Sequence, residues 1–219
     1  MKSKLAPLFL VAMAVLGACG DDDDAGDDGA VGTTPSGCAD VDQPAAREDG
    51  GATAPTGTLD PSQAWTLTFE TSCGSFVITL DVDSAPATAA SLVALAEDGF
   101  YDDTVFHRIV PGFVIQGGDP TQTGGGGPGY KTVDVPAADA AYTRGVVAMA
   151  KAGPEPAGTA GSQFFVVTGA DVGLPPDYAV VGEVTDGLDV VELIGTLGDP
   201  ATERPTQPVV IESVTVASS

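Results

Sequence analysis

The chain has 219 residues, of which 31 are acidic and 8 basic, so its formal net charge is −23 at pH 7. This balance argues against binding to nucleic acid, because a protein displaces the counterions of a polyanion with Lys and Arg, and it disfavours docking on anionic lipid through a basic patch. Hydrophobic residues make up 43% of the chain, which excludes a wholly disordered protein, while three cysteines and one histidine are too few for a disulfide-dense scaffold or a Cys/His zinc cluster.

Residues 1–18 have the composition of a secretory signal. Lys2 and Lys4 precede an apolar run over 5–16, which is short for a membrane span because a spanning helix needs about 20 residues. The sequence Leu16-Gly17-Ala18-Cys19 resembles the lipobox of bacterial lipoproteins, which implies cleavage before Cys19 and lipidation of that residue. A short membrane anchor or a buried helix is the alternative. On the lipoprotein interpretation the mature protein is exported, and only the lipid anchors it, to the periplasmic or extracellular face of the cell membrane or outer membrane.

Residues 19–62 predict a lipidated, acidic and flexible tether. Between residues 20 and 62 the large apolar residues are only Val31, Val41 and Leu59, and six aspartates crowd the stretch 21–28. Such a segment cannot bury enough apolar surface to offset the entropy lost on ordering. Calcium binding is an alternative for the acidic run, but the run lacks the spaced ligands and the glycine turn of a calcium loop.

Residues 63–219 predict one folded domain, since they hold twelve of the thirteen aromatic residues. Apolar and polar residues alternate over 65–69 and again over 76–80, and a turn-forming stretch at 72–74 separates the two runs. This pattern predicts a β-hairpin.

The spacing of apolar residues then changes to that of a helix over 84–98. Ser84 is the expected N-cap, Pro86 lies near the first turn, and Gly99 ends the helix. Many strands and two helices in one domain favour a mainly β fold, a closed barrel with helices at its ends. The other apolar runs predict strands near 104–110, 112–117, 145–149, 163–168 and 179–184, a helix near 187–194 that ends at Gly195, and a last strand over 209–216.

Common catalytic motifs are absent or lack their structural context. Gly124, Gly126 and Gly129 fit the letters of a dinucleotide-binding motif, but a strand-like stretch at 130–136 follows them where that motif needs a helix. Only His107 could serve as a histidine base. The sequence therefore predicts neither a metal site nor a cofactor.

Two segments combine apolar residues with a few selected polar side chains. The first, 106–119, places His107, Arg108 and Gln116 in an otherwise apolar strand-turn-strand, and the second spans 149–165. An arginine among Phe, Val and Ile is unfavourable without a partner. Either Arg108 pairs with an acid and His107 is a satisfied core side chain, or these side chains form a functional site.

These segments resemble the two signature motifs of the cyclophilins, a family of peptidyl-prolyl cis-trans isomerases. Phe106-His107-Arg108 through Gln116-Gly117-Gly118-Asp119 matches the first motif, and Gly161-Ser162-Gln163-Phe164-Phe165 matches the second. The resemblance covers residues 66–216. It implies a closed eight-stranded antiparallel β-barrel capped by two α-helices, and a monomer that binds proline-containing segments of unfolded or exported proteins. It also implies an enzyme without a cofactor that accelerates rotation about X-Pro bonds.

The resemblance also assigns roles to individual residues. Arg108 would donate a hydrogen bond to the prolyl nitrogen, a role that suits a rigid group with permanent charge. Gln116 would hold a peptide carbonyl and orient Arg108, while His107 and Phe113 would form the pocket wall and complete the catalytic set. The substrate-binding positions implied are Val114, Gly125, Met149, Ala150, Lys151, Ala152, Gln163, Phe165, Leu174 and Tyr178.

Some of these positions depart from the common family pattern. Lys151 stands where many members have Asn, Val114 is smaller than the usual Met, and Tyr178 replaces a frequent His. Gly173 stands where many members carry a large aromatic residue that binds the inhibitor cyclosporin. We therefore expect weak cyclosporin binding with isomerase activity largely retained.

Cys38 and Cys73 form an even pair if Cys19 carries lipid. In an oxidising compartment such a pair predicts a disulfide, here one that joins the tether to the first hairpin. Two free thiols are the alternative.

Two other functions compete with the enzyme. The same barrel could be a binding module that recognises proline-bearing segments with little turnover, or a structural surface protein that uses the barrel as a spacer. The presence of Arg108, Phe113 and Gln116 favours the enzyme, because neither a spacer nor a simple binding module needs all three.

Overall fold

The computed structural model describes residues 36–219. The expected signal segment 1–18, the expected lipidation site Cys19 and the acidic run at 21–28 lie outside these residues. Within residues 36–219, no helix has both the length and the apolar character that a membrane crossing needs.

The predicted hairpin is confirmed. Strands β1 (Trp65–Thr71) and β2 (Gly74–Leu80) pair antiparallel. Phe69 and Phe76 face each other across the pair, and their rings stack with centroids 4.9 Å apart. Because alternate side chains of a strand point to opposite faces, Leu67, Phe69, Phe76 and Ile78 all lie in the core.

Residues 36–219 form eleven strands, nine of them in one sheet. The sheet runs in the order β3-β11-β1-β2-β10-β7-β9-β5-β4, and β6 and β8 form a separate two-stranded sheet. The strands after the hairpin are β3 (Thr104–Val105), β4 (Arg108–Val110), β5 (Val114–Gly117), β6 (Thr132–Val133), β7 (Val146–Met149), β8 (Thr159–Ala160), β9 (Phe164–Val167), β10 (Val180–Asp186) and β11 (Val210–Ser218).

The expected closed eight-stranded barrel is wrong, whereas the mainly β fold with two helices is confirmed. The main sheet is a curled half-barrel of nine strands, and its two edges, β3 and β4, do not pair with each other. The strand expected over 104–110 divides at Phe106 and His107, because its two halves pair with different neighbours. The first half pairs with β11 and the second with β5. Arg108 therefore lies on an edge strand.

The two helices are α1 (Pro86–Glu97) and α2 (Leu188–Gly195). The expected cap at Ser84 is wrong: Ala85 is the N-cap, and no side chain caps the helix. Pro86 begins the helix with a fixed φ and no N–H to satisfy, so one of the unpaired donors at this end is absent.

The core joins the hairpin, the helices and the strands that carry the two motifs. Phe69, Tyr101, Phe106 and Phe164 form an aromatic cluster in which Phe106 and Phe164 meet edge to face with centroids 6.0 Å apart. A smaller cluster lies apart from this core and contains Val114, Tyr142, Ala148, Phe165 and Val167. Both motifs therefore contribute residues to the core as well as polar side chains.

Within the predicted tether, residues 36–52 form an ordered strap along the domain instead of a free spacer. We call residues 36–52 the strap. Backbone N–H groups of Arg47, Gly50 and Ala52 donate to the carbonyls of Pro120, Gly127 and Pro128. A disulfide joins Cys38, which is fully buried, to Cys73 in the hairpin turn. The hydrogen bonds and this covalent link supply the stabilisation that the composition of the segment lacks.

The disulfide predicts a large loss of stability when it is removed. Cys38 and Cys73 are 35 residues apart, and closing a loop of that size in the unfolded chain stabilises the fold by about 3–4 kcal/mol on the chain-entropy model. We expect the Cys38→Ser/Cys73→Ser variant to lose about that much free energy of unfolding in urea. The Cys19→Ser variant keeps the pair and is the control, and an unchanged midpoint in the double variant would contradict the prediction.

Candidate active site

Arg108 and Gln116 meet across the β4–β5 hairpin. The register pairs Arg108 with Gln116 directly, and Arg108 Nη1 donates to Gln116 Oε1 at 3.3 Å. Arg108 Nε donates to Glu203 Oε2 at 2.7 Å, which makes an ion pair. Arg108 therefore pairs with an acid, as one of the two interpretations of the sequence expected. Within the described residues its Nη2 has no hydrogen-bond partner and remains available to a ligand.

A relay of side-chain amides extends from Arg108 into the neighbouring loop. Gln116 Nε2 donates to Gln163 Oε1 at 3.0 Å, and Gln163 Nε2 donates to the carbonyl of Gly126 at 2.8 Å. Each amide accepts with its oxygen and donates with its nitrogen, so the relay sets the orientation of both side chains. The relay therefore links the β4–β5 hairpin, Gln163 and the loop that contains Gly126.

A cavity of about 320 Å³, lined mostly by apolar side chains, opens beside the guanidinium. Val114 and Phe165 are buried at its base, and Tyr178 meets Phe165 edge to face at 5.6 Å between centroids. Such a cavity suits a small apolar ring, with polar groups at one rim to orient it. Its lining consists of Phe113, Val114, Phe165, Leu174 and Tyr178, together with Arg108, Gln116, Ala150 and Lys151.

A second cavity, of about 170 Å³, shares Gln116, Ala150 and Lys151 with the first. The expected positions Gly125, Ala150, Lys151, Ala152 and Gln163 all line it. Met149 lines neither cavity: it is fully buried and pairs with Phe164 on β9. Met149 therefore supports the groove from behind.

The side chain of Lys151 turns into the protein. It is 3% exposed, its Nζ lies 2.9 Å from Asp177 Oδ2 and it donates to the carbonyl of Glu155. Nζ also lies 5.6 Å from the centroid of the Tyr178 ring. A buried ammonium needs such partners, and here the ammonium also contacts a ring that lines the cavity.

His107 has no hydrogen-bond partner among residues 36–219, although both of its ring nitrogens are buried. It is therefore not the satisfied core histidine that one interpretation expected. Burial lowers its pKa below 6.5; nearby Arg108 lowers it further, and Asp119 opposes the shift. A ring with a lowered pKa and no hydrogen bond to an acid or base fits a wall of the site better than an acid-base role.

Asp119, which sequence reasoning did not assign to the site, organises the loop beside Arg108. It is fully buried and accepts from the backbone and hydroxyl of Thr121 and from the backbone of Thr123 and Gly124 at 2.6–3.0 Å. Burial favours the neutral form, but these hydrogen bonds outweigh it and lower the pKa of Asp119. A Cβ at Gly126 would lie 2.3 Å from Asp119 Oδ1, so only glycine fits there. The sequence signal that could have identified Asp119 is an acidic residue at the end of a mostly apolar motif.

Glu203 and Gln43 are further residues that sequence reasoning missed. Both line a third cavity, of about 500 Å³, with His107, Arg108 and Gln116. Neither lies in a signature motif, and both are far from Arg108 in the chain, so no local pattern pointed to them.

Gly173 has a φ of 61°, and no atom lies within 4 Å of the position where its Cβ would be. The expectation of weak cyclosporin binding at this open position stays a prediction.

Comparisons with known proteins agree with the motifs. The family model described as "Cyclophilin type peptidyl-prolyl cis-trans isomerase/CLD" matches residues 66–216. The chain is 41% identical over 178 residues to peptidyl-prolyl cis-trans isomerase A of Mycobacterium tuberculosis, covering 73% of this chain and 96% of the relative. It is 41% identical over 168 residues to peptidyl-prolyl cis-trans isomerase B of Streptomyces anulatus, covering 68% and 94%.

A solved structure is also similar. It is a cyclophilin type peptidyl-prolyl cis-trans isomerase of Cryptosporidium parvum, crystallised in the presence of the dipeptide Ala-Pro. The TM-score is 0.65 at 30% sequence identity, covering 70% of this chain and 99% of the other.

The buried, neutral His107 predicts a loss of stability in mild acid. Its pKa is lowered in the folded state, so below about pH 6.5 the unfolded chain takes up a proton that the folded chain refuses. The stability is complete above that pH and is lost as the pH falls. We expect the free energy of unfolding to decrease between about pH 7.5 and 5, and to decrease less in His107→Gln. Urea titrations at several pH values test this, and parallel pH profiles would contradict it.

Proposed function

Because the chain belongs to the family of cyclophilin-type peptidyl-prolyl cis-trans isomerases, and is such an isomerase, we propose that it acts on exported proteins and assists their folding. An X-Pro bond exchanges between cis and trans over tens to hundreds of seconds, behind a barrier of about 18–20 kcal/mol. Lowering that barrier by about 7 kcal/mol accelerates the exchange roughly 10⁵-fold.

Isomerisation requires a twisted transition state and breaks no bond. As the amide twists it loses resonance, and the prolyl nitrogen regains a lone pair. A donor aimed at that nitrogen stabilises the twisted state more than the planar one, which is the requirement for catalysis. In this proposal Arg108 is the donor. The observation that carries it is a guanidinium held by Gln116 and Glu203 at the rim of the apolar cavity.

Two parts of the substrate must be held for one to rotate against the other. The cavity lined by Phe113, Phe165 and Leu174 would hold the proline ring. An amide NH₂ group carries two hydrogens, so Gln116 can donate one to Gln163 and the other to the carbonyl of the bound peptide. This division of roles needs no nucleophile, metal or cofactor.

The proposal also includes export, a lipid anchor and a monomeric state. The basic and apolar start of the chain supports export. The disulfide between Cys38 and Cys73 supports an oxidising compartment, since such bonds persist there and are rare in the cytosol. Clients would then be proteins that fold outside the cytoplasm.

The catalytic role of Arg108 predicts the kinetics of its alanine variant. Removing one preorganised donor from a transition state lowers kcat by about 10²–10³-fold, and kcat and kcat/KM should fall together. We expect this for Arg108→Ala when isomerisation of a short X-Pro peptide is followed by NMR exchange. Arg144→Ala is the matched control, because Arg144 also pairs with a glutamate on the surface.

Two outcomes of this assay would overturn parts of the proposal. If the intact protein does not exceed the rate in solvent, it is no isomerase on such peptides. If it binds the peptide without accelerating exchange, it is a binding module.

The lipoprotein interpretation predicts the mass of the mature chain in its native host. Cleavage before Cys19 and acylation of that residue would yield an N-terminal peptide that begins with a lipidated cysteine. Mass spectrometry of membrane extracts measures it, with Cys19→Ser as the control that should leave the membrane fraction. An unmodified Cys19 in membrane extracts would refute the anchor.

A further inference from the structure

We propose that Glu203 is a positioning residue that fixes the guanidinium of Arg108 for catalysis, and that the loop over residues 198–205 holds its carboxylate in place. The inference rests on the proposed role of Arg108. Glu203 lies 95 residues from Arg108 in the chain and outside both signature motifs, yet its Oε2 lies 2.7 Å from Arg108 Nε.

The two partners of Arg108 engage different nitrogens of one planar group. Glu203 accepts from Nε and Gln116 accepts from Nη1. Because the guanidinium is flat and its donors have fixed directions, contacts at two of its nitrogens define its plane. The two N–H groups of Nη2 and the second N–H of Nη1 are then left for a ligand. With Gln116 alone, the group could still turn about the bond to its Nη1 partner.

The backbone of Glu203 is hydrogen-bonded to strand β4, which also carries Arg108, the partner of its side chain. Its carbonyl accepts from the N–H of Ile109 at 2.9 Å, one residue after Arg108. Its φ is 58°, a left-handed conformation that is uncommon for glutamate and persists only where surrounding contacts impose it. Strand β4 therefore contacts Glu203 twice, through its backbone carbonyl and through its side-chain carboxylate.

The rest of the loop supports this conformation. The N–H of Glu203 donates to the carbonyl of Asp199 at 2.7 Å, and the Asp199 carboxylate accepts from the N–H groups of Ala201 and Thr202. A Cβ at Gly198 would lie 2.2 Å from the carbonyl of Ile109, so the loop approaches β4 as closely as only glycine allows. The loop at 198–205 therefore covers the β4 edge of the half-barrel and places the Glu203 carboxylate beside Arg108.

The exposure of the pair points to orientation and not to stability. The side chains of Arg108 and Glu203 are 35% and 48% exposed, and ion pairs at that exposure contribute little to stability. Glu203 is not needed to charge Arg108 either, because a guanidinium stays protonated in proteins. What remains for the carboxylate to do is to set direction, through a short charge-assisted hydrogen bond.

The test compares Glu203→Ala, Glu203→Gln and a matched control, Glu192→Ala. Glu192 forms a surface ion pair with Arg144 at 3.0 Å and is 45% exposed, so its removal changes the net charge by the same amount away from the site. We expect kcat to fall about tenfold in Glu203→Ala with KM nearly unchanged, because misplacing a catalytic group reduces rate more than binding. Glu203→Gln keeps an acceptor and should recover part of the loss, while Glu192→Ala should match wild type.

A spectroscopic measurement separates positioning from a general structural effect. The Nε–H resonance of Arg108, assigned with Arg108→Lys, should be protected from exchange in wild type and in Glu192→Ala. It should lose that protection in Glu203→Ala, while the urea midpoint stays close to that of wild type.

The possible failures can be told apart. If Arg108→Ala keeps the wild-type kcat, the proposed role of Arg108 fails, and that of Glu203 with it. If Arg108→Ala is inactive but Glu203→Ala keeps or exceeds the wild-type kcat, only the role of Glu203 is overturned. A fall in kcat that tracks a fall in the urea midpoint, with the Arg108 signal unchanged, would also overturn it.

Discussion

The pairing of Arg108 with Gln116 across the β4–β5 hairpin is the contact on which the rest of the site depends. It places a permanent positive charge on an edge strand, where the Arg108 side chain is 35% exposed. A charge in that position needs partners, and it finds them in the Gln116 amide and the Glu203 carboxylate. The edge strand therefore carries a donor group, Arg108 Nη2, that has no partner among the described residues and can reach a ligand.

Around this contact, the side chains that shape the groove are held by hydrogen bonds and ion pairs before any ligand binds, while the His107 ring nitrogens and Arg108 Nη2 have no partner among the described residues. Asp119 orders the loop that carries Gly126, and Gln163 joins that loop to Gln116. The buried ammonium of Lys151 forms an ion pair with Asp177. A preorganised site of this kind avoids reorganisation at the moment of reaction, which is the main advantage that fixed dipoles have over water.

The strap extends the structural domain beyond the part that matches the family. The family model begins at residue 66, but backbone bonds from Arg47, Gly50 and Ala52 reach the loop at 120–128. The Cys38–Cys73 disulfide holds the strap at its start. A segment whose composition argued for a free spacer thus lies against the loop that lines the cavity of about 170 Å³. Composition reports how much apolar surface a segment can bury; it does not report a covalent link or the backbone partners available to the segment.

By itself the sequence determined the mainly β class, the hairpin at 65–80 and both helices within a few residues, and it named the side chains that line the cavity beside Arg108. Alternation, helical spacing and two long motifs are local signals, and these features depend on local order. Met149 was predicted to bind substrate, but it is fully buried and pairs with Phe164 behind the groove. A sequence motif indicates which residues lie near a site and does not indicate where each side chain points.

Only the tertiary structure decided how the sheet ends and what meets at its edge. The strand over 104–110 divides because its halves pair with different neighbours, and Glu203 reaches Arg108 from 95 residues away. Partner choice between strands and contacts between distant loops depend on how the whole chain closes on itself. That information is not present in any short stretch of residues, since the same local pattern fits either a closed barrel or an open half-barrel.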